Sequence, residues 1–130
     1  MARADRTVVT APGAPHPIGA YSPAIRTGNL LFISGQVPFD PVTGSLISGD
    51  IAAQTEQVMK NIGALLQAAG TGFEHLLRTT VFLADMNDFA AMNECYGRFM
   101  ADPAPARSTV QVARLPRDAR IEIDAIALVP

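Results

Sequence analysis

The stretch from Asp50 to Gly70 constrains this chain more than any other. Ile51, Val58, Ile62, Leu65, Leu66 and Ala69 recur at helical spacing. Asp50 stands where an N-cap carboxylate accepts a bond from an orphan backbone N–H, and Gly70 where a left-handed stop is expected. The spacing predicts a helix over 51–69. Its flanks read differently. Thr7–Thr10 is short and β-branched, and Ala24–Thr27 and Leu30–Ser34 flank the turn dipeptide Gly28-Asn29 as a hairpin. After the helix come the β-prone Leu77–Leu83, then a second helix capped by Asp88. That helix carries Phe89, Met92, Tyr96 and Phe99 on one face and is ended by Pro103 and Pro105. Ala106–Ala113 and Arg120–Leu128 read as final strands joined by a turn at Leu115-Pro116-Arg117-Asp118. The order β-β-β-α-β-α-β-β predicts an α+β fold, with two helices on one face of a mixed or mainly antiparallel sheet. A chain of 130 residues suffices for one domain over 1–130 but supplies no third layer, so the other sheet face calls for an oligomer.

Composition narrows the function. Hydrophobic residues make up 48% and charged residues 17%, so a core is available and disorder is not expected. Ten Lys+Arg against 12 Asp+Glu argue against a polyanion-binding surface. Arg107, Arg114, Arg117 and Arg120 form only a weak basic patch without interleaved aromatics. The single Cys95 excludes an internal disulfide framework and a Cys-rich zinc site, and His16 and His75 are too far apart to suggest a metal site. Met1–Thr10 has no apolar signal-peptide core, and no run approaches a membrane span. A reducing cytoplasmic setting is the expectation. No GxGxxG, GxxxxGK[ST] or GxSxG motif occurs. Cys95, beside Glu94, lacks the electropositive surroundings of a nucleophile.

Six positions stand out as chemistry. Arg107 opens an apolar strand, and its permanent charge must meet an anion or water. It reads either as a bidentate clamp on a carboxylate or as a surface charge guarding a sheet edge, and position alone favours the plainer reading. Glu122 alternates with Ile121 and Ile123 and so faces away from the core, where a solvated strand face is the plainer reading. A simple hairpin at Leu115–Asp118 would put both charges on one face, on the order of 13 Å apart. That is too far for one small ligand, so either the hairpin is irregular or the site is built from two subunits, and the oligomer already called for favours the second. Tyr21 follows Ile18-Gly19-Ala20 and could line a pocket or anchor the loop. Ser34 and Gly35 end a strand, where Gly35 allows close backbone approach or supplies a bulge. Asn93 sits mid-helix, bonding a loop or facing solvent.

Together the strings Ile18-Gly19-Ala20-Tyr21-Ser22, Ser34-Gly35-Gln36, Thr79-Thr80-Val81-Phe82-Leu83, Asp88-Phe89, Pro105-Ala106-Arg107-Ser108, Val112-Ala113-Arg114-Leu115-Pro116 and Ile121–Ala127 resemble the RidA/YjgF family of imine deaminases. The resemblance runs from about Val8 to Val129. It implies a chorismate-mutase-like fold and a homotrimer with sites in the clefts between subunits. It implies metabolite damage control: hydrolysis of reactive 2-imino acids and 2-aminoacrylate-type enamines to 2-oxo acids and ammonia, without a metal or organic cofactor. Arg107 then matches the residue gripping the substrate carboxylate, Glu122 the one orienting or activating water, and Tyr21 the pocket tyrosine. Ser34, Gly35 and Asn93 match pocket-lining positions. Thr109 stands where many members carry cysteine and is expected to bind substrate through its hydroxyl or backbone groups, and Ala20 replaces the usual proline. The partners implied are a small imino or oxo acid and copies of this chain, with no membrane or nucleic acid. Two other readings are a non-catalytic trimer that binds a small carboxylate and a ribonuclease or translation inhibitor.

Overall fold

The computed structural model describes residues 5–130. Its strands are β1 (Thr7–Val9), β2 (Ala24–Thr27), β3 (Leu30–Gln36), β4 (Leu76–Leu83), β5 (Ala106–Gln111) and β6 (Ile121–Leu128). The helices are α1 (Ile51–Ala68), between β3 and β4, and α2 (Phe89–Gly97), between β4 and β5. The expected α+β plan and element order are both present. The strands form one sheet in the order β1-β2-β3-β6-β4-β5, antiparallel throughout except for the parallel pair β4–β5.

Local signals set the limits of α1. The Asp50 carboxylate accepts from the backbone N–H of Ala53 at 2.9 Å. At the other end Gly70 takes φ +82°, while Thr71 N–H donates to Leu66 O and Gly70 N–H to Gln67 O, each at 3.0 Å. This pair of bonds closes the last turn and needs a left-handed residue at its corner. Asp88 does not cap α2 through its side chain. Asp85 acts instead one turn earlier, accepting from Asn87 N–H at 2.9 Å in a short 3-10 turn, Met86–Asp88. The second helix ends at Gly97, before Phe99 and the prolines.

The inner sheet face holds the core. Val58, Met59, Ile62, Leu65 and Leu66 of α1 pack with Leu31, Ile33, Val81, Leu83, Ile121 and Ile123 in one buried cluster. Strand β6 alternates strictly, with Ile121, Ile123, Ala125 and Ala127 buried and Glu122, Asp124, Ile126 and Leu128 half-buried on the outer face. On that outer face Val8, Ile25, Phe32 and Ile126 lie abreast across four strands, and Phe32 remains 41% exposed. The apolar face left over by a two-layer chain is therefore present. No helix among the described residues is long and apolar enough to cross a membrane.

The simple hairpin expected between β5 and β6 does not form. Strand β4 lies between them, paired with both. The turn at Pro116–Asp118 exists, with Arg117 and Asp118 at positive φ, but it carries the chain across β4. This changes the geometry of the two candidate charges. Arg107 is level with the buried Thr79 and belongs to the inner, helix-bearing face. Glu122 is level with Phe82 and belongs to the outer face. They do not share a face, as the hairpin would have required.

Candidate active site

Glu122 sits in an open hollow of about 350 Å³ lined by Ile18, Tyr21, Ser34, Gly35, Val37, Phe39 and Pro116. A bulge in β3 makes room for it. Ile33 pairs with Ala125 and Gln36 with Ile123, so Ser34 and Gly35 together oppose Asp124 alone. Gly35 then lies directly against the Glu122 side chain. A Cβ added there would collide with Oε2 and lie 2.9 Å from Cδ. The absent side chain is what lets the carboxylate occupy this position. Ser34 Oγ donates to Ser22 O at 2.6 Å and ties the bulge to the loop that carries Tyr21. The Tyr21 hydroxyl accepts from Ile18 N–H at 3.4 Å, and the residue is 50% exposed. The opposite wall is fixed from α1. Asn61, fully buried, donates through Nδ2 to Val37 O and Phe39 O at 3.3 and 3.0 Å, and its Oδ1 accepts from Gln57 Nε2 at 2.9 Å.

The electrostatics of Glu122 follow from this setting. Partial burial disfavours its charged form, and the neighbouring Asp124 carboxylate adds like-charge repulsion; both push its pKa up. It enters none of the ion pairs among the described residues. A carboxylate of raised pKa, unpaired and facing a hollow, is a competent acceptor for a water proton.

Arg107 lines a second groove, of about 590 Å³, on the other side of the sheet with Asn93, Tyr96, Met100, Asp102 and Pro105. Three residues of α2 at i, i+4 and i+7 hold it. Its Cζ lies 5.6 Å from the Phe89 ring centroid and 4.9 Å from that of Tyr96, and its Nη1 donates to Asn93 Oδ1 at 2.8 Å. No carboxylate pairs with it among the described residues. The Asn93 bond uses one of five guanidinium N–H groups, which leaves enough for a bidentate carboxylate.

The structure thus brings Tyr21, Ser34, Gly35 and Glu122 into one hollow and Arg107 and Asn93 into another. Thr109 lines neither. Its Oγ1 is buried with no hydrogen-bond partner among the described residues, level with the core residue Val81. Val37, Phe39, Pro116 and the anchoring Asn61 were not singled out by sequence reasoning, and the prolines and irregular spacing around Phe39 carry no periodic signal. The spacing of Phe89, Asn93 and Tyr96 on one stripe could have indicated that α2 faces Arg107. No group of three or more His, Cys, Asp or Glu among the described residues could hold a metal ion.

A family model, endoribonuclease L-PSP, matches residues 11–129. The chain belongs to the RidA/YjgF family. A RutC family protein of Pyrococcus horikoshii is 52% identical over 122 residues, covering 94% of this chain and 97% of the relative. The human 2-iminobutanoate/2-iminopropanoate deaminase is 44% identical over 128 residues, covering 98% of this chain and 93% of the relative. Among solved structures, RidA from the Antarctic bacterium Psychrobacter sp. superposes with a TM-score of 0.92 at 41% identity, covering 95% and 100% of the two chains. Relatives of this RidA/YjgF chain thus include named imine deaminases alongside RutC family proteins.

Proposed function

We propose that this protein is a cofactor-independent deaminase that hydrolyses 2-imino acids and their enamine tautomers to 2-oxo acids and ammonia. In this reading the active cleft lies between protomers of a homotrimer. The observation that carries it is the placement of Arg107 and Glu122 on opposite faces of one sheet. Among the described residues, a cation without an anion and a carboxylate without a cation each line a hollow open to solvent. A second copy laid against the apolar outer face offers the way for one small ligand to meet both. The 44% identity to a named deaminase supports the proposed substrate class.

The chemistry needs little more than these groups. A protonated 2-imino acid carries a carboxylate beside a carbon that is already electrophilic. The Arg107 fork binds the carboxylate and fixes which face of the imine is presented. Glu122 accepts a proton from water as the water oxygen bonds to the imine carbon. The carbinolamine that results receives that proton on nitrogen. The C–N bond then breaks, its electrons leaving with ammonia, while the hydroxyl electrons form the ketone C=O and the hydroxyl proton converts ammonia to ammonium. Glu122 ends ionised, ready for another water. Tyr21 closes one side of the hollow with a hydroxyl available to the ligand.

The test couples the protein to an enzyme that releases imino acids, such as an amino acid oxidase. Ammonia release is expected to accelerate with wild-type protein and to fall to the uncatalysed rate with Arg107→Ala, at unchanged oligomeric state. Full activity in that variant refutes the clamp. The family description also carries a ribonuclease reading, against which the balance of 10 Lys+Arg and 12 Asp+Glu weighs.

A further inference from the structure

We propose that Tyr96 is the positioning residue for Arg107: its ring is the platform on which the guanidinium is held ready for a carboxylate. This rests on the carboxylate-clamp reading of Arg107 above. An arginine side chain is long and flexible, and an exposed one samples many rotamers before it binds. Here the Tyr96 ring centroid lies 4.9 Å from Arg107 Cζ, within the range where the negative face of an aromatic ring attracts a cation. The ring is itself immobilised. Tyr96 is 4% exposed, and its hydroxyl shares a 2.7 Å hydrogen bond with Thr79 Oγ1, at a residue only 1% exposed. Thr79 is the register partner of Arg107 across β4 and β5. The rung of the sheet that bears the arginine therefore also anchors the ring beneath it. Asn93 fixes the in-plane rotation by accepting from Nη1, and Phe89 adds a second, more distant ring. A phenylalanine at 96 would provide the same face without the anchor, and an aliphatic residue would provide neither.

The experiment compares two variants on a Thr79→Val background, so that no hydroxyl is orphaned in the core. One adds Tyr96→Phe, which keeps the ring, and the other adds Tyr96→Leu, which removes it. Binding of 2-oxobutanoate is measured by calorimetry, KM and kcat by ammonia release, and folding by thermal melting. The leucine variant is expected to bind about ten-fold more weakly and to raise KM by a similar factor, with kcat within about two-fold. The phenylalanine variant is expected to stay within about three-fold of wild type. On an Arg107→Ala background the change to leucine is expected to cost no further affinity, because nothing remains to be positioned. Equal binding by the two variants, or the same loss with Arg107 absent, overturns the assignment. Should the leucine variant fail to fold, Phe89→Leu at a half-buried position tests the same platform. A two- to five-fold loss that vanishes without Arg107 supports it, and unchanged binding refutes it. A wild-type protein that binds 2-oxobutanoate but releases no ammonia removes the deaminase reading, while calorimetry still decides the role of Tyr96. A wild type that binds no 2-oxobutanoate removes the clamp and the platform together.

Discussion

Replacing Gly35 by alanine is expected to disable the proposed reaction while leaving the fold standing. The added Cβ would collide with Glu122 Oε2 and lie 2.9 Å from Cδ and 3.2 Å from Cγ. The backbone of Gly35 is not the element that yields, because it sits in a bulge held on both sides by β6 pairing. The flexible carboxylate end of Glu122 gives way instead. Holding that side chain away from a rotamer minimum costs roughly 0.5–1.5 kcal/mol. Against this, alanine restricts the unfolded chain and contributes about 0.4–1 kcal/mol. Gly35 is not among the glycines with positive φ, so no backbone strain is added. Net stability therefore changes by less than about 1 kcal/mol, a shift of roughly 3–5 °C in Tm at this chain length. Catalysis has no such compensation. A proton acceptor moved by about 1 Å loses on the order of 100-fold in rate, and general-base catalysis as a whole contributes about 10²–10⁴-fold. The Arg107 clamp is untouched, so KM is expected to stay within about three-fold. The assay is ammonia release from an oxidase-generated imino acid, run beside thermal melting, with Glu122→Gln as the reference. The two variants are expected to fall to a comparable kcat. A Gly35→Ala protein that melts normally and keeps kcat within about three-fold of wild type refutes Glu122 as the base in this position.

Two further outcomes follow from the same geometry. Because burial and then Asp124 raise the pKa of Glu122 in the folded protein, its ionisation above the unfolded value of about 4.3 opposes folding. The stability this shift contributes is full below that value and is lost as pH rises through the higher folded pKa. Glu122→Gln is thus expected to melt higher than wild type at neutral pH but not below about pH 4, and the acidic limb of wild-type kcat/KM to lie above the ordinary glutamate range. A lower Tm for the glutamine variant at neutral pH contradicts this. On the outer face, Phe32→Asp places a charge opposite Ile126 and is expected to yield monomers by light scattering, with ammonia release lost in parallel. A monomer of full activity would show that Arg107 and Glu122 need not meet on one ligand.

The parts of this molecule written in neighbouring residues were legible, and those written across the sheet were not. Helix α1 could be bounded because Asp50 and Gly70 act on the chain next to them. The β2–β3 turn was legible for the same reason, since Gly28 takes φ +58° where Gly28-Asn29 predicts a turn. Strand pairing has no such local marker. The run β4–α2–β5 nevertheless contained the clue that was missed: a helix between two strands is the crossover a parallel pair needs. Taking β5 and β6 as a hairpin placed Arg107 and Glu122 on the same face, and the separation of about 13 Å from which a divided site was argued fell with it; the opposite faces on which they stand are a different ground for that reading. The contact between Gly35 and Glu122 joins residues far apart in sequence and no pattern exposes it, whereas the seat of Arg107 on Tyr96 was foreshadowed only by the stripe of Phe89, Asn93 and Tyr96 on α2. Thr109 entered only through family resemblance, and its hydroxyl is buried away from both hollows.

The one-residue insertion in β3 has a consequence for how such a chain can diversify. Ile33 and Gln36 keep their inward pairing on either side of it, so the hydrophobic interior is indifferent to what the two bulged residues do. Exchanging Ser34 or Gly35 alters the outer hollow and the seat of Glu122 without repacking anything beneath the sheet. Losing one residue there would be another matter: Ile33 and Gln36 would keep Ala125 and Ile123 as partners in a regular ladder, and the bulge that seats the Glu122 carboxylate against Gly35 would vanish. The core is thus indifferent to these two residues, while the hollow depends on there being two of them.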